Sequence, residues 1–216
     1  MNEPTLYFDF ISPYSHLCVA ELEAGKLGGA NVRYTPVVYG AILSATGLIG
    51  PVENEAKRRY TFLDVLRRAQ KMGLPFEGAP AHPFRSLEAL RAVCVFADRP
   101  EVGRLVSRLS NACWGEGADI SDVAVISDIV REVGLNAADL PSRIADPSIK
   151  QQLTDHTQRA IEQGIFGVPT FALEGELFWG HDRIEDLADR LSGRPAPSTN
   201  HLQKMLDRPR AIDRRR

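Results

Sequence analysis

Strand-like sequence is confined to the two ends of this 216-residue chain, and that separation limits the folds open to it. Residues 5–11 (Leu6, Tyr7, Phe8, Phe10 and Ile11 among them) read as a strand covered on both faces, because apolar and aromatic side chains fill nearly every position. Residues 31–39, with Val32, Tyr34, Val37 and Val38, read as a second strand. Between them Ser12-Pro13 stops the first strand and opens a helix. A proline at the first helical position lacks only an N–H that the helix does not use, and the serine hydroxyl can cap the free N–H groups behind it. Leu17, Cys18, Ala20, Leu22 and Ala24 then recur at helical spacing up to Gly28-Gly29. A strand, helix and strand in this order predict a parallel pair joined by a right-handed crossover. Strand signals return only at Thr170–Leu173 and Glu176–Trp179, with Glu174-Gly175 as a tight turn. Ile184–Leu191 reads as a closing helix with Asp182 as its expected cap.

Everything in residues 41–165 has a helical apolar period, as in Tyr60, Leu63, Val65, Leu66 and Ala69, or Val123, Ile126, Ile129 and Val130. Glycine and proline punctuate this stretch, and it holds no β-type run. The expected organisation is an α/β unit made of residues 1–40 and 166–193, a helical insertion at 41–165, and a basic tail at 194–216. The 26 basic and 28 acidic side chains leave a net charge of −2, unevenly spread. Arg194, Lys204, Arg208, Arg210, Arg214, Arg215 and Arg216 against Asp207 and Asp213 give the tail +5, so residues 1–193 carry −7. A basic end of this kind reads as a solvated terminus, and no nucleic-acid partner is expected. No apolar run reaches about 18 residues, so no membrane span is expected. Met1-Asn2-Glu3-Pro4 shows no basic leader, and the three cysteines (Cys18, Cys94, Cys113) form no disulfide framework or zinc pattern. A cytoplasmic protein with reduced thiols and no bound metal is the expectation.

Three local segments carry a resemblance. Ser12-Pro13-Tyr14-Ser15 stands at the strand-to-helix junction, Gly167-Val168-Pro169-Thr170-Phe171 leads into the hairpin, and Phe178-Trp179-Gly180-His181-Asp182-Arg183 follows it. In this order they resemble the thioredoxin superfamily in its DsbA-like branch, whose fold carries a large helical insertion. Within that branch the chain is similar to the 2-hydroxychromene-2-carboxylate isomerases and kappa-class glutathione transferases, over nearly all of residues 5–191. His82-Pro83-Phe84 and Trp114 with Asp119-Ile120-Ser121-Asp122 extend the likeness into the insertion.

The resemblance implies glutathione as cofactor, a cis peptide before Pro169, and a Val168 backbone that pairs with the cysteinyl unit like an added strand. It places Trp179, Gly180, His181 and Asp182 at the γ-glutamyl end, where the Asp182 carboxylate would meet the amino group. Lys57 and Tyr60 resemble the family's Lys-x-x-Tyr, which approaches a carboxylate, although Lys57-Arg58-Arg59 also fits a solvated face. Trp114 either lines the substrate pocket or fills the helical core. Arg183 is either a partner for Asp9 or a solvated charge. The family's polar pair is replaced by Leu48 and Ile49, which suits a more hydrophobic substrate than an acidic chromene. His16, His82 and His156 have no ligand spacing and read as structural, and Cys18 reads as buried.

Ser12 also has a physical reading of its own. A helix N-terminus offers free N–H groups and the positive end of a dipole, so it favours an anion. No base stands beside Ser12 in sequence to make it a nucleophile, but as a donor it needs none. A hydroxyl there can steady an incoming thiolate and lower a thiol pKa from about 8.5 toward 7. Ser12 is therefore the expected catalytic residue of a glutathione-dependent isomerase or transferase. By the resemblance, the bound thiolate adds reversibly to a conjugated electrophile, such as one from aromatic degradation, and homodimers are common in the group. The alternative is a non-catalytic module that holds a peptide or thiol along the same edge. Disulfide exchange is not expected, because neither Ser12 nor Ser15 can form a disulfide.

Overall fold

The computed structural model describes residues 3–209. Four strands form one sheet in the order β2-β1-β3-β4, with β1 Thr5–Phe8, β2 Arg33–Pro36, β3 Thr170–Leu173 and β4 Glu176–Trp179. β1 runs parallel to β2 and antiparallel to β3, and β3 pairs antiparallel with β4. The expected βαβ opening and closing hairpin are thus present, with β1 second in the sheet. Helix α1 (Pro13–Glu23) makes the first crossover. Between β2 and β3 the described elements are all helical: α2 Tyr39–Thr46, α3 Glu55–Met72, α4 Leu87–Val95, α5 Val102–Trp114, α6 Val123–Glu132, α7 Leu140–Ala145 and α8 Pro147–Glu162. After β4 come α9 (Ile184–Leu191) and α10 (Thr199–Leu206).

β1 alternates between two cores, as a strand covered on both faces must. Leu6 and Phe8 enter the larger core with Phe171 of β3, Leu105, Leu109 and Trp114 of α5, and Leu90 and Val93 of α4. Tyr7 points the other way, toward Val37, Ile42, Ala160, Ile165 and Val168. One apolar core therefore runs from the sheet into the helical segment. Each of its large side chains contributes on the order of 1.5–3 kcal/mol by leaving water.

Several element boundaries differ from expectation, each for a local reason. β1 ends at Phe8 because the Asp9 carboxylate accepts the Ile11 N–H at 3.1 Å, which turns the chain before Ser12. β2 ends at Pro36, which has no N–H for the ladder. Asp182 does not cap α9. It lies within a 3₁₀ turn, His181–Arg183, and the residue at the cap position is Arg183. The basic tail begins with α10, whose Leu202, Met205 and Leu206 are exposed, and residues 210–216 lie outside the described residues. No described helix is long and apolar enough to cross a membrane.

Trp114 is the largest fully buried side chain, at 0% exposure, so of its two readings the core is the correct one. Its indole N–H donates to the Phe10 carbonyl at 2.8 Å, and its ring stacks on Phe76. An indole with its one polar atom satisfied by backbone has no face left for a substrate. Replacing Trp114 by Phe keeps one aromatic ring, deletes the pyrrole part of the indole and strands the Phe10 carbonyl. Urea unfolding should show a loss of about 1–3 kcal/mol, and an unchanged midpoint would show that this bond contributes nothing.

Candidate active site

The first turn of α1 meets the loop before β3. Ser12 is the N-cap of α1, with φ −89° and ψ 116°, and Pro13 occupies the first helical position. Its Oγ accepts the Ser15 N–H at 3.3 Å and donates to the Val168 carbonyl at 3.3 Å. The Val168–Pro169 peptide is cis, as the resemblance implied. Sequence positions 12 and 168, far apart along the chain, are thus joined by one hydroxyl. Neither partner of that oxygen is a base, so Ser12 is a donor rather than an activated nucleophile. Its donation to Val168 is long for an O–H···O bond, which leaves the proton readily redirected. By helix geometry the Tyr14 N–H, at the second helical position, has no partner within the helix and points the same way.

The turn that presents Ser12 is held from below. Asp9, 2% exposed, accepts from the Ile11 N–H at 3.1 Å, the Tyr39 N–H at 3.0 Å and the Ser86 hydroxyl at 2.7 Å. Ser86 precedes α4 but does not cap it, because its hydroxyl is turned to Asp9. The Asp9 carbonyl accepts the Ser12 N–H at 3.1 Å. His82 Nε2 meets the Ile11 carbonyl at 3.0 Å. Burial pushes the Asp9 carboxyl above its ordinary value, and its three donors offset only part of that shift. Asp9 and His82 were not foreseen as parts of this site. A lone acid within the apolar run from Leu6 to Ile11 was the available signal for Asp9.

On the other side of Val168, the loop is fastened to β4. The Thr170 hydroxyl donates to the Gly167 carbonyl at 2.7 Å, and the Gly180 N–H to the Pro169 carbonyl at 2.9 Å. The Trp179 indole lies over Gly167 so closely that a Cβ there would sit 2.5 Å from its nitrogen. Trp179 is exposed and packs edge-on against Phe166 at 4.7 Å. Gly180 has a φ of +106°, which the turn into His181 requires.

His181 is placed differently from expectation. It is buried, its Nδ1 pairs with Glu21 at 3.2 Å, and its Nε2 is also buried. Its ring stacks on Tyr14 at 5.9 Å, so it supports the α1 tip and offers no exposed polar atom to a ligand. Asp182 remains partly exposed and is paired with Arg183 at 3.0 Å. That pairing and a second one to Asp186 make Arg183 a solvated charge, not a partner of Asp9.

α3 brings a further stripe to the same tip. The Tyr14 hydroxyl donates to Asp64 at 2.9 Å, and Asp64 accepts from Arg68 Nε at 2.7 Å. Lys57, Tyr60, Asp64 and Arg68 follow the helical period, so all four lie toward one face of α3. Lys57 and Tyr60 are exposed near its N-terminus. Leu48 and Ile49 stand 46% and 69% exposed on the connection from α2 to α3, outside the hydrogen-bonded group around Ser12. The Asp64–Arg68 pair was not foreseen, since in sequence it is indistinguishable from a surface i,i+4 pair.

The family model described as a DSBA-like thioredoxin domain matches residues 5–192. The chain belongs to the DsbA-like thioredoxin family. Within that family a 2-hydroxychromene-2-carboxylate isomerase of Pseudomonas putida is 30% identical over 184 residues, covering 82% of this chain and 88% of that protein. Glutathione S-transferase kappa 1 of Homo sapiens is 28% identical over 201 residues, covering 86% and 89% respectively. Both relatives are enzymes. A solved 2-hydroxychromene-2-carboxylate isomerase has the same fold, with a TM-score of 0.80 at 24% identity over 94% of this chain and 98% of that one.

The three cysteines of this DsbA-like chain are free and buried. Burial pushes the Cys94 and Cys113 thiols up to about 12 and raises the Cys18 thiol well above its ordinary value. None is poised to act as a thiolate at neutral pH. Alkylation by iodoacetamide at pH 8, followed by mass spectrometry, should label no cysteine until denaturant is added; rapid native labelling would contradict this burial.

Asp9 gives a second expectation. Ser86→Ala removes the closest of the three donors to Asp9 and should cost about 0.5–3 kcal/mol in urea titrations at pH 7. The folded protein holds the Asp9 proton more tightly than the unfolded chain does. The Asp9 contribution is therefore fully present below the unfolded value near 3.8 and is lost as pH rises through its raised folded value. The unfolded value is the same in both proteins, so the deficit of the variant should shrink as pH falls through the further raised folded value of the variant and then that of the parent, and a pH-independent deficit would remove Asp9 as its cause.

Proposed function

We propose that the chain is a cytoplasmic, glutathione-dependent enzyme, an isomerase of the 2-hydroxychromene-2-carboxylate type or a kappa-like transferase acting on a conjugated electrophile. The observation that carries this reading is the Ser12 hydroxyl at the tip of α1, 3.3 Å from the Val168 carbonyl. The tip binds an anion in its own right, and the polypeptide supplies no accessible thiolate to occupy it. Bound glutathione supplies the sulfur nucleophile that adds reversibly to the electrophile.

The chain's own residues do the rest. Ser12 turns its proton from the Val168 carbonyl toward the sulfur, and the Tyr14 N–H adds the helix terminus. The Val168 backbone, held by the Thr170 and Gly180 bonds, presents an extended edge for the cysteinyl unit. Asp182 takes the amino end, with Trp179 and Gly180 beside it. Lys57 and Tyr60 face the carboxylate side, and exposed Leu48 and Ile49 favour an apolar electrophile, consistent with aromatic degradation. The same reading carries a homodimer.

Ser12→Ala should raise the pKa of the bound thiol. Ultraviolet absorbance of the thiolate at pH 7 should fall, while calorimetric affinity for glutathione changes far less. Turnover should drop at neutral pH and recover as pH rises past the thiol's new value. An unaltered titration curve in this variant would remove Ser12 from the mechanism.

A further inference from the structure

Arg68 is the cation that this site presents without a stated use. Only its Nε–H is spent, on Asp64 at 2.7 Å, and its side chain is 37% exposed. No further hydrogen bond from its two terminal amino groups is found among the described residues. Arg183, by contrast, spends both terminal nitrogens on Asp182 and Asp186. The free fork of Arg68 is the geometry that reads a carboxylate through two parallel bonds.

Its placement is fixed by rigid contacts on both sides. Asp64 ties Arg68 to the Tyr14 hydroxyl at 2.9 Å, and Tyr14 stacks on His181, the residue before Asp182. Arg68 and Asp182 are close enough for the carboxylate to stabilise the guanidinium charge. They stand on different elements, α3 and the turn before α9, which the Asp64–Tyr14 bond and the Tyr14–His181 stack connect. A cation and an anion arranged this way match a zwitterionic α-amino-acid head group: Arg68 keeps its fork, and Asp182, whose Oδ2 accepts from Arg183, has Oδ1 beyond that pair.

We propose that Arg68 and Asp182 form a clamp for the α-carboxylate and α-amino groups of the γ-glutamyl unit, and that Arg68 makes the site selective for thiols carrying an amino-acid head. This rests on the glutathione reading above and adds to it the residue that reads the carboxylate. Asp64 is the positioning residue: it fixes the guanidinium through Nε and leaves the fork free. The clamp forms no covalent bond, so its effect lies in binding.

Titration calorimetry with two tripeptide analogues tests it. One carries 4-aminobutyryl in place of γ-glutamyl and lacks the carboxylate, and the other carries glutaryl and lacks the amine. The wild-type protein should bind each about tenfold to a hundredfold more weakly than glutathione, the range for a lost charge-assisted contact. Arg68→Gln should weaken glutathione by a similar factor and leave the 4-aminobutyryl analogue unchanged, while Asp182→Asn spares the glutaryl analogue. Equal wild-type affinity for glutathione and the 4-aminobutyryl analogue overturns the clamp while the glutathione reading stands. So does a loss of both ligands alike in a folded Arg68→Gln protein. Absence of glutathione binding to the wild type overturns the glutathione reading and the clamp with it. The wild-type comparison needs no variant, so a poorly folded Arg68→Gln protein does not spare the proposal.

Discussion

A single buried carboxylate organises the end of the sheet on which the site is built. Asp9 receives the Ile11 N–H, the Tyr39 N–H and the Ser86 hydroxyl, and its own carbonyl receives the Ser12 N–H. The exit of β1, the start of α1, the start of α2 and the approach to α4 therefore share one anchor. A carboxyl group this deep is costly to ionise, and both of its oxygens meet a donor, two on Oδ1 and one on Oδ2. The upward displacement of its titration shows that burial still outweighs those donors. The helical segment contributes directly to the active turn in this way, with Trp114 on the Phe10 carbonyl and His82 on the Ile11 carbonyl completing the hold.

Around that anchor, two parts of the chain face each other with different chemistry. The sheet edge at Val168 and Trp179 is apolar and backbone-rich, suited to an extended ligand. The α3 stripe of Lys57, Tyr60, Asp64 and Arg68 is charged, with Tyr14 joining it to the tip of α1. On the glutathione reading proposed above, a ligand between them would be read along its backbone on one side and at its charged ends on the other. Such a division gives orientation as well as affinity, because a reversed ligand would leave Arg68 and Lys57 facing the wrong groups.

The fold was legible because its signals are local. Ser12-Pro13 is a complete helix start, Glu174-Gly175 is a complete hairpin turn, and an apolar period distinguishes strand from helix without tertiary information. Ser12, Val168 and the cis peptide were reached through ordered motifs. What escaped were contacts that depend on packing. The Asp64–Arg68 pair has the spacing of any surface pair until Tyr14 is seen to meet it. His181 was assigned to the ligand from its neighbours in sequence, whereas the stack on Tyr14 and the pairing with Glu21 turn its ring inward. Asp182 looked like a cap, but the chain makes a 3₁₀ turn first, which moves the cap position to Arg183.

On the proposed reading, magnitudes decide how the thiolate would be steadied. Bringing a thiol from about 8.5 to about 7 requires roughly 2 kcal/mol of preference for the charged form. A helix terminus contributes about 0.3–1 kcal/mol at an exposed site and about 2 where partly buried. A hydrogen bond to a charged acceptor contributes about 1.5–3 kcal/mol. At a buried tip such as this one the two contributions are of similar size, and either alone would approach the preference required. The present donation of Ser12 to Val168 works in the same direction. At 3.3 Å it is weak enough to give up, yet it holds the hydroxyl toward the loop before β3, so on the proposed reading little rotamer freedom would be lost on binding an anion. A cysteine at this position would bring a sulfur of its own and compete for the same space. Serine leaves the sulfur position to a ligand and keeps the donor.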